Sequence, residues 1–187
     1  VPSVMAEAHS LVVTAADGFP LAATLWLPET ATPPTRVVIV NAGAGIPARY
    51  YDRFAAWLAD RGLPTLTYDY RGIGRSRPAR LRGFEATVEM WGSKDCAAML
   101  DAMVARFPSA RLAVLGHSIG GFVTGLAPGG ERVDRMGEVG VHLDDDRRAA
   151  RDGDTKAVEI RSSEPLLGRP MADPHPGVGG GQIVREL

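Results

Sequence analysis

Three residues near position 118 have the types and spacing of a nucleophile site. Gly116, Ser118 and Gly120 form a G-x-S-x-G pattern that follows the apolar run "RLAVL" and precedes "IGGFVTGLA". In a strand–turn–helix unit of this kind, a strained turn lifts the serine Oγ above the edge of a sheet, where it can attack a substrate. The glycines are needed because side chains there would clash with the neighbouring strand and helix. The alternative is an ordinary turn in which Ser118 only caps the following helix.

A nucleophilic serine also needs a site for the negative charge that develops on the carbonyl oxygen of its substrate. Two backbone N–H groups that converge on that oxygen would supply it. Ile119, at the start of the predicted helix, has a free amide and is the first candidate. The second is Ala44, with Gly43 next to it, in the loop "NAGAG" after the apolar run "RVVIV". The alternative is that Gly43 and Gly45 only relax the turn between a strand and a helix.

The elements that would position these residues alternate between strands and helices. The segment from His9 to Pro28 is predicted to form a hairpin with a turn at Asp17 and Gly18. Buried strands are predicted at "RVVIV", "LPTLTY" and "RLAVL", with helices between them at "PARYYDRFAAWLADRG" and "FEATVEMWGSKDCAAMLDAMVARFP". Because parallel neighbours need crossover connections, this order predicts an α/β fold. We expect a mostly parallel sheet with helices on both faces and an antiparallel N-terminal hairpin at one edge.

A series of motifs extends over about residues 9–142: "NAGAGIPARYYDRFAAWLADRGLPTLTYDYRGIGRS", "LRGF", "MWGSKD", "GHSIGG" and "GLAP". This series resembles the α/β-hydrolase superfamily, and more narrowly bacterial hydrolases of its serine aminopeptidase (S33)-like branch. The resemblance implies a hydrolase fold, here truncated after about six strands. It also implies that Ser118 cleaves an ester or amide of a small molecule through an acyl-enzyme, with the amides of Ile119 and Ala44 as oxyanion donors and with no cofactor or metal. Asp69 and Arg71 would brace their loop by hydrogen bonds.

The base and the acid that would activate the serine are harder to place. In the family they follow the serine in the order acid, histidine, and only 69 residues follow Ser118. Asp144 is the candidate acid and His175 the candidate base, because they occur in that order. The alternatives are that residues 144–146 form a solvated acidic turn and that His175 has no catalytic role, because no predicted strand precedes it. The segment "GGGQIVREL" after His175 is predicted as a short terminal helix. The other histidines are not expected to act as the base: His9, His117 and His142.

The C-terminal part differs in composition from the rest. All 12 aromatic residues lie at or before Phe122, and 16 of the 45 residues from 143 to 187 are charged. Because such a segment has little to bury, residues 143–187 are predicted to be a poorly ordered tail on a single core that spans residues 9–142. From about Gly137 the chain is either a natural short variant or a shifted reading frame or unrelated segment, and the composition favours the second hypothesis. The alternative to an active hydrolase is a catalytically incomplete remnant or a non-enzymatic binding fold.

Composition and charge argue against several classes of function. The formal net charge of −1 over 187 residues gives no electrostatic reason to expect a nucleic acid or an anionic membrane as partner. No apolar span has transmembrane length, and Cys96, the single cysteine, can form no intrachain disulfide. These features predict a cytoplasmic protein. An unpaired strand at the truncated edge of the sheet predicts self-association.

Overall fold

A mixed sheet of eight strands forms the centre of the protein. The computed structural model describes residues 6–29, 32–142, 157–162 and 181–184. The strands are Glu7–Thr14 (β1), Pro20–Leu27 (β2), Arg36–Asn41 (β3), Thr65–Tyr68 (β4), Arg111–Gly116 (β5), Val133–His142 (β6), Ala157–Ser162 (β7) and Gly181–Val184 (β8). The α-helices are Asp52–Ala59 (α1), Val88–Met90 (α2), Ala97–Arg106 (α3) and Ile119–Leu126 (α4). In the described ranges, no helix has the length and apolarity needed to cross a membrane.

The four central strands of the sheet are parallel. The strand order is β1-β2-β4-β3-β5-β6-β7-β8, and the pairs β4–β3, β3–β5 and β5–β6 are the parallel ones. Residues 37–40 in β3 expose 1% or less of their surface, and residues 113–115 in β5 expose none. Each fully buried aliphatic side chain contributes about 1.5–3 kcal/mol to folding, so the continuous apolar runs belong at the middle of the sheet.

The helices cover both faces of this sheet. The connection from β3 through α1 to β4 runs in one direction along the sheet, and the connections through α3 and α4 run in the other direction. Since such crossovers are right-handed, α1 lies on one face and both α3 and α4 lie on the opposite face. The predicted α/β class with helices on both faces is confirmed, and the sheet is mixed because antiparallel strands flank the parallel centre on both sides.

The N-terminal hairpin is confirmed at one edge. β1 and β2 are antiparallel, with Glu7 opposite Leu27 and Thr14 opposite Pro20. The turn between them contains Gly18 with a φ of 82°, a conformation that glycine adopts without steric cost. β2 then pairs antiparallel with β4, which joins the hairpin to the parallel centre.

The helix that precedes β5 contains a π-helical turn, Trp91–Cys96, between α2 and α3. Gly92 in this turn packs closely against α4: a Cβ there would lie 2.8 Å from the carbonyl oxygen of Val123. A π turn changes the angular spacing of consecutive side chains relative to an α-helix. Asp95 and Cys96 are both fully buried, and they contact different groups of residues.

The sheet continues beyond β6. β7 pairs antiparallel with β6, and β8 pairs antiparallel with β7. The prediction of a terminal helix in "GGGQIVREL" is wrong: residues 181–184 are extended, because the backbone groups of β8 are paired by β7 instead of by a helical turn. The edge of β6 that we expected to be unpaired is covered by β7. The other residues of the segment 143–187 lie outside the described ones, so their poor order stays a prediction.

Candidate active site

Ser118 lies at a sharp turn between β5 and α4. Its φ of 54° and ψ of −119° make it the one non-glycine residue with positive φ in the described part of the chain. This conformation carries a steric cost, so the surrounding structure must hold the turn. A Cβ at Gly116 would overlap the backbone of Gly121, and a Cβ at Gly120 would overlap the carbonyl oxygen of Asn41. The steric requirement predicted for Gly116 and Gly120 is confirmed.

Ser118 directly precedes α4 but its side chain does not cap the helix. The residue is exposed, and its hydroxyl makes no capping hydrogen bond to the first turn of α4. The alternative in which Ser118 serves as a helix cap is therefore contradicted by the geometry. The strained turn presents Oγ to solvent at the carboxyl end of β5, where a substrate carbonyl can approach it.

The two backbone amides predicted as oxyanion donors belong to Ile119, directly after Ser118, and to Ala44, in the loop after β3. In the described ranges, the N–H groups of Ile119 and Ala44 donate no backbone hydrogen bond. The N–H of Gly43, in contrast, donates to the hydroxyl oxygen of Tyr51 at 3.0 Å. Of the two neighbouring loop amides considered as oxyanion donors, Ala44 is therefore the available one. The role of Ile119 and Ala44 as oxyanion donors stays a prediction.

A cluster of neutral polar side chains lies beneath the serine turn, and we call it the Asn41 cluster (Asn41, Tyr68, Cys96 and Thr124). The Tyr68 hydroxyl donates to Asn41 Oδ1 at 2.7 Å, and Asn41 Nδ2 donates to Thr124 Oγ1 at 2.9 Å and to the Gly120 carbonyl at 3.2 Å. All four side chains are buried. Burial raises the pKa of Tyr68 and of Cys96, so both keep their protons. The cluster joins β3, β4 and the π turn to the first turn of α4.

The Asn41 cluster was not predicted from the sequence. The available signal was a polar residue at the end of the apolar run "RVVIVN", at the edge where the parallel strands converge. Its partners are 27, 55 and 83 positions away along the chain, so no local pattern could identify them.

The histidine before the serine is engaged elsewhere. His117 Nδ1 lies 2.7 Å from the hydroxyl oxygen of Tyr51, the same oxygen that accepts the Gly43 amide. Burial raises the pKa of Tyr51 to about 12. Tyr51 is therefore a hydroxyl group at neutral pH. The expectation that His117 is not the base that activates Ser118 agrees with this contact.

A second cluster is charged, and we call it the Arg71 cluster (Arg71, Asp17 and Asp95). Arg71 and Asp95 are buried, and Asp17 is partly exposed. Arg71 Nε donates to Asp95 Oδ1 at 2.7 Å and the Arg71 backbone N–H donates to Asp95 Oδ2 at 2.9 Å. The Arg71 guanidinium also donates to both oxygens of Asp17, at 2.7 and 3.2 Å. The hydrogen bond from Arg71 lowers the pKa of Asp17 to about 2. This cluster fastens the β1–β2 turn and the loop after β4 to the π turn.

Asp69 braces the same loop from its other end. Its Oδ1 accepts the Ala48 backbone N–H at 2.7 Å, and its Oδ2 accepts the Arg75 backbone N–H at 3.1 Å. The structural roles implied for Asp69 and Arg71 by the resemblance are therefore confirmed.

The predicted acid and base, Asp144 and His175, lie outside the described residues. His142 is the last residue of β6. Within the described ranges, no three His, Cys, Asp or Glu side chains lie close enough together to hold a metal ion. The acid, the base and the expectation that no metal or cofactor takes part all stay predictions.

Comparison with known families gives a match over the centre of the chain. Residues 32–132 match the family described as serine aminopeptidase, S33. This range contains the loop after β3, the Arg71 and Asn41 clusters except Asp17, and the serine turn. It ends just before β6.

Solved structures show the same fold. A highly thermostable carboxyl esterase from Bacillus coagulans superposes with a TM-score of 0.58 at 19% identity, over 69% of this chain and 43% of that one. A cold-adapted esterase from an Arctic intertidal metagenomic library gives 0.52 at 23% identity, over 73% of this chain and 60% of that one. An α/β serine hydrolase without lid from Xanthomonas campestris gives 0.51 at 20% identity, over 63% and 54%. These similarities confirm the α/β-hydrolase fold, and this chain spans about half the length of these proteins.

Proposed function

Because the chain belongs to the serine aminopeptidase S33 family, we propose that Ser118 is the nucleophile of an acyl hydrolase that acts on an ester or amide of a small molecule. The observation that carries the proposal is the backbone conformation of Ser118. A serine at φ 54° is sterically strained, and its hydroxyl makes no capping hydrogen bond that would offset this cost. Strain of this kind is typical of functional sites, and here it would hold Oγ in position to attack a substrate.

The proposed reaction proceeds in two acyl transfers. Ser118 Oγ attacks the substrate carbonyl carbon as a base removes its proton, and the resulting oxyanion accepts hydrogen bonds from the amides of Ile119 and Ala44. The tetrahedral intermediate collapses, the protonated alcohol or amine leaves, and an ester between the acyl group and Oγ remains. Water then attacks this ester, releases the carboxylic acid and returns the proton to Oγ.

The base in this proposal is His175, oriented by Asp144. A serine hydroxyl is a weak nucleophile until an imidazole accepts its proton, and a carboxylate is needed to hold the imidazole in the correct tautomer. The order of these residues in the chain supports the assignment. The base removes the proton from Oγ, and the amides at the start of α4 separately stabilise the negative charge that develops near Oγ.

A second candidate is a catalytically incomplete hydrolase. It is favoured by the contact between His117 Nδ1 and Tyr51, which engages the histidine adjacent to Ser118. In that case Ser118 would still be presented beside the oxyanion amides, but no imidazole would accept its proton. Such a site retains about 10³- to 10⁴-fold catalysis over water.

The test is hydrolysis of p-nitrophenyl acetate by the wild type beside Ser118→Ala, His175→Ala and Asp144→Ala, with His9→Ala as the matched histidine control. If the proposal is correct, Ser118→Ala removes the activity above buffer, and His175→Ala lowers kcat by at least about 10³-fold while His9→Ala leaves it unchanged. If Ser118→Ala hydrolyses the substrate at the wild-type rate, the proposal is contradicted. A serine-dependent rate that His175→Ala and Asp144→Ala leave unaltered would select the incomplete hydrolase.

A further inference from the structure

We propose that Tyr51 and His117 are positioning residues that lock the loop after β3 so that the Ala44 amide stays directed at the carbonyl oxygen bound beside Ser118. The inference rests on the proposed function, and it adds two residues that do not touch the substrate.

Two hydrogen bonds form a bridge between the two sides of the site. The Gly43 N–H donates to the Tyr51 hydroxyl oxygen at 3.0 Å, and that oxygen lies 2.7 Å from His117 Nδ1. Gly43 directly precedes Ala44 in the chain, and His117 directly precedes Ser118. The bridge therefore connects the peptide next to one predicted oxyanion donor to the residue next to the nucleophile.

The protons of this bridge can be assigned from its hydrogen-bonding capacity. An amide N–H can only donate, so the Tyr51 oxygen accepts from Gly43. Tyr51 is 97% buried, and its hydroxyl proton needs an acceptor, which His117 Nδ1 provides. His117 is then the tautomer with its proton on Nε2, and every donor in the bridge has an acceptor.

Close packing fixes the same loop sterically. A Cβ built on Gly43 would lie 3.1 Å from His117 Nδ1 and 3.0 Å from Ile46 Cδ1. Glycine at this position thus lets the loop lie directly against the imidazole ring. Rotation of the peptide before Gly43 would break its bond to Tyr51 in a buried environment, at the cost of an unsatisfied donor.

The two successive amides of Gly43 and Ala44 would have different roles in the reaction. The Gly43 N–H is bound inside the protein, and the next N–H, that of Ala44, makes no backbone hydrogen bond in the described part of the chain. A preorganised donor stabilises a developing oxyanion without reorganisation during the reaction. Loosening the bridge should therefore slow steps that place charge on that oxygen and leave the binding of the rest of the substrate largely unaffected.

The experiment measures the second-order rate at which a p-nitrophenyl alkylphosphonate modifies Ser118, with p-nitrophenol release and intact mass as readouts. The phosphoryl oxygen of this probe occupies the oxyanion site during attack by Oγ. Tyr51→Phe is expected to lower the rate by about 10- to 100-fold, because the ring is kept and only the bridging hydroxyl is lost. His117→Leu should lower it about 10-fold, and His117→Asn, whose Oδ1 can replace Nδ1 as acceptor, should restore most of it.

Tyr70→Phe is the matched control, because Tyr70 is another buried tyrosine whose hydroxyl has no hydrogen-bond partner among the described residues. Its modification rate should equal that of the wild type. The proposal is overturned if Tyr51→Phe also reacts at the wild-type rate, or if His117→Asn is as slow as His117→Leu.

Amide and imidazole NMR separates failure of this inference from failure of the proposed function. If the bridge exists, Tyr51→Phe shifts the Gly43 and Ala44 amide resonances and the His117 Nδ1 resonance, whereas Tyr70→Phe does not. If Tyr51→Phe shows these shifts but the phosphonate does not modify the wild type, the proposed hydrolase is rejected and the bridge is retained. Unchanged Gly43 and Nδ1 resonances in Tyr51→Phe would overturn the bridge whatever the reactivity of Ser118.

Discussion

The Asn41 cluster and the Arg71 cluster lie near the carboxyl ends of the central strands, but one is neutral and buried, whereas the other is ionic and includes the partly exposed Asp17. Asn41 connects β3 to β4 through Tyr68, and it connects β3 to α4 through Thr124 and through the Gly120 carbonyl at the start of the helix. Arg71 connects the β1–β2 turn to the π turn through two carboxylates. The neutral cluster therefore holds the serine turn, and the ionic cluster holds the hairpin and the loop after β4.

The two clusters meet in the π-helical turn. Asp95 binds Arg71, and Cys96, the next residue, lies 3.4 Å from Asn41 Nδ2. An ordinary α-helix separates consecutive side chains by about 100°, whereas the wider π turn brings these two neighbours into adjoining buried sites. The ten-residue α3 follows the turn directly and buries Met99, Leu100 and Met103. The π turn thus contributes one residue to each cluster.

The largest effect should come from breaking the ionic cluster. Asp95→Ala leaves the buried Arg71 guanidinium, 2% exposed, with Asp17 as its remaining carboxylate partner among the described residues, and we expect the free energy of unfolding to fall by about 3–5 kcal/mol. Urea denaturation measures it. The double variant Asp95→Leu with Arg71→Met should lose less than Asp95→Ala alone, because no uncompensated buried charge remains. If the double variant loses as much stability as the sum of the losses in Asp95→Leu and Arg71→Met measured separately, the carboxylate and the guanidinium act independently.

A smaller loss is expected in the neutral cluster. Asn41→Leu keeps the volume but leaves the buried Tyr68 hydroxyl without the acceptor that Asn41 Oδ1 provides, at a cost of about 2–3 kcal/mol in the free energy of unfolding. Thr124→Val, which removes the hydroxyl oxygen that accepts the hydrogen bond from Asn41 Nδ2, should cost about 1 kcal/mol. Because no charge is involved, the loss in Asn41→Leu should be the same in low and high salt. A strong salt dependence would mean that the cluster is coupled to Arg71 through the π turn.

The ionic cluster should also make stability depend on acid pH. Folding lowers the pKa of Asp17 from 3.8 to about 2 through Arg71, so the unfolded chain binds this proton more tightly than the folded one. The stabilisation is fully present above about pH 4 and is lost as the pH falls through 2. Since the Asp17 side chain is 27% exposed, solvent screening reduces the effect to about 1 kcal/mol.

The matched variant for this prediction is Asp17→Asn. The difference in free energy of unfolding between wild type and Asp17→Asn, measured from pH 6 down to the lowest pH at which both fold, should shrink below pH 4. A difference that stays constant, or grows as the pH falls, would show that Arg71 does not hold the Asp17 carboxylate in the folded state.

The elements that sequence alone predicts are those specified by local patterns. Apolar runs of four or five residues mark β3 and β5, Asp17 and Gly18 mark the hairpin turn, and glycines spaced about Ser118 mark the nucleophile turn. Each depends on the sterics or hydropathy of neighbouring residues. The requirement for glycine at Gly116 and Gly120 was predicted because a side chain there would clash with its surroundings, and the structure shows this clash.

The features that sequence did not predict depend on contacts across the chain. Asn41 and Thr124 are 83 positions apart, so their hydrogen bond follows from the order of the strands and not from a motif. The π turn differs from an α-helix by one residue in a single turn, which hydropathy spacing does not resolve. Strand β8 was predicted as helix because its extended state depends on pairing with β7, a tertiary contact that outweighs local preference.

The smallest effect, and the one of opposite sign, is expected at the serine turn itself. Ser118→Gly should raise the free energy of unfolding by about 1 kcal/mol, because glycine adopts a φ of 54° without the steric cost that a Cβ incurs. Ser118→Ala is the matched control: it removes the same hydroxyl but keeps the Cβ, so it should leave stability near the wild-type value. Thermal and urea unfolding of the three proteins measure the order Gly above Ala and Ser. If Ser118→Gly is less stable than Ser118→Ala, the turn carries no strain, and the main support for Ser118 as the presented nucleophile is lost.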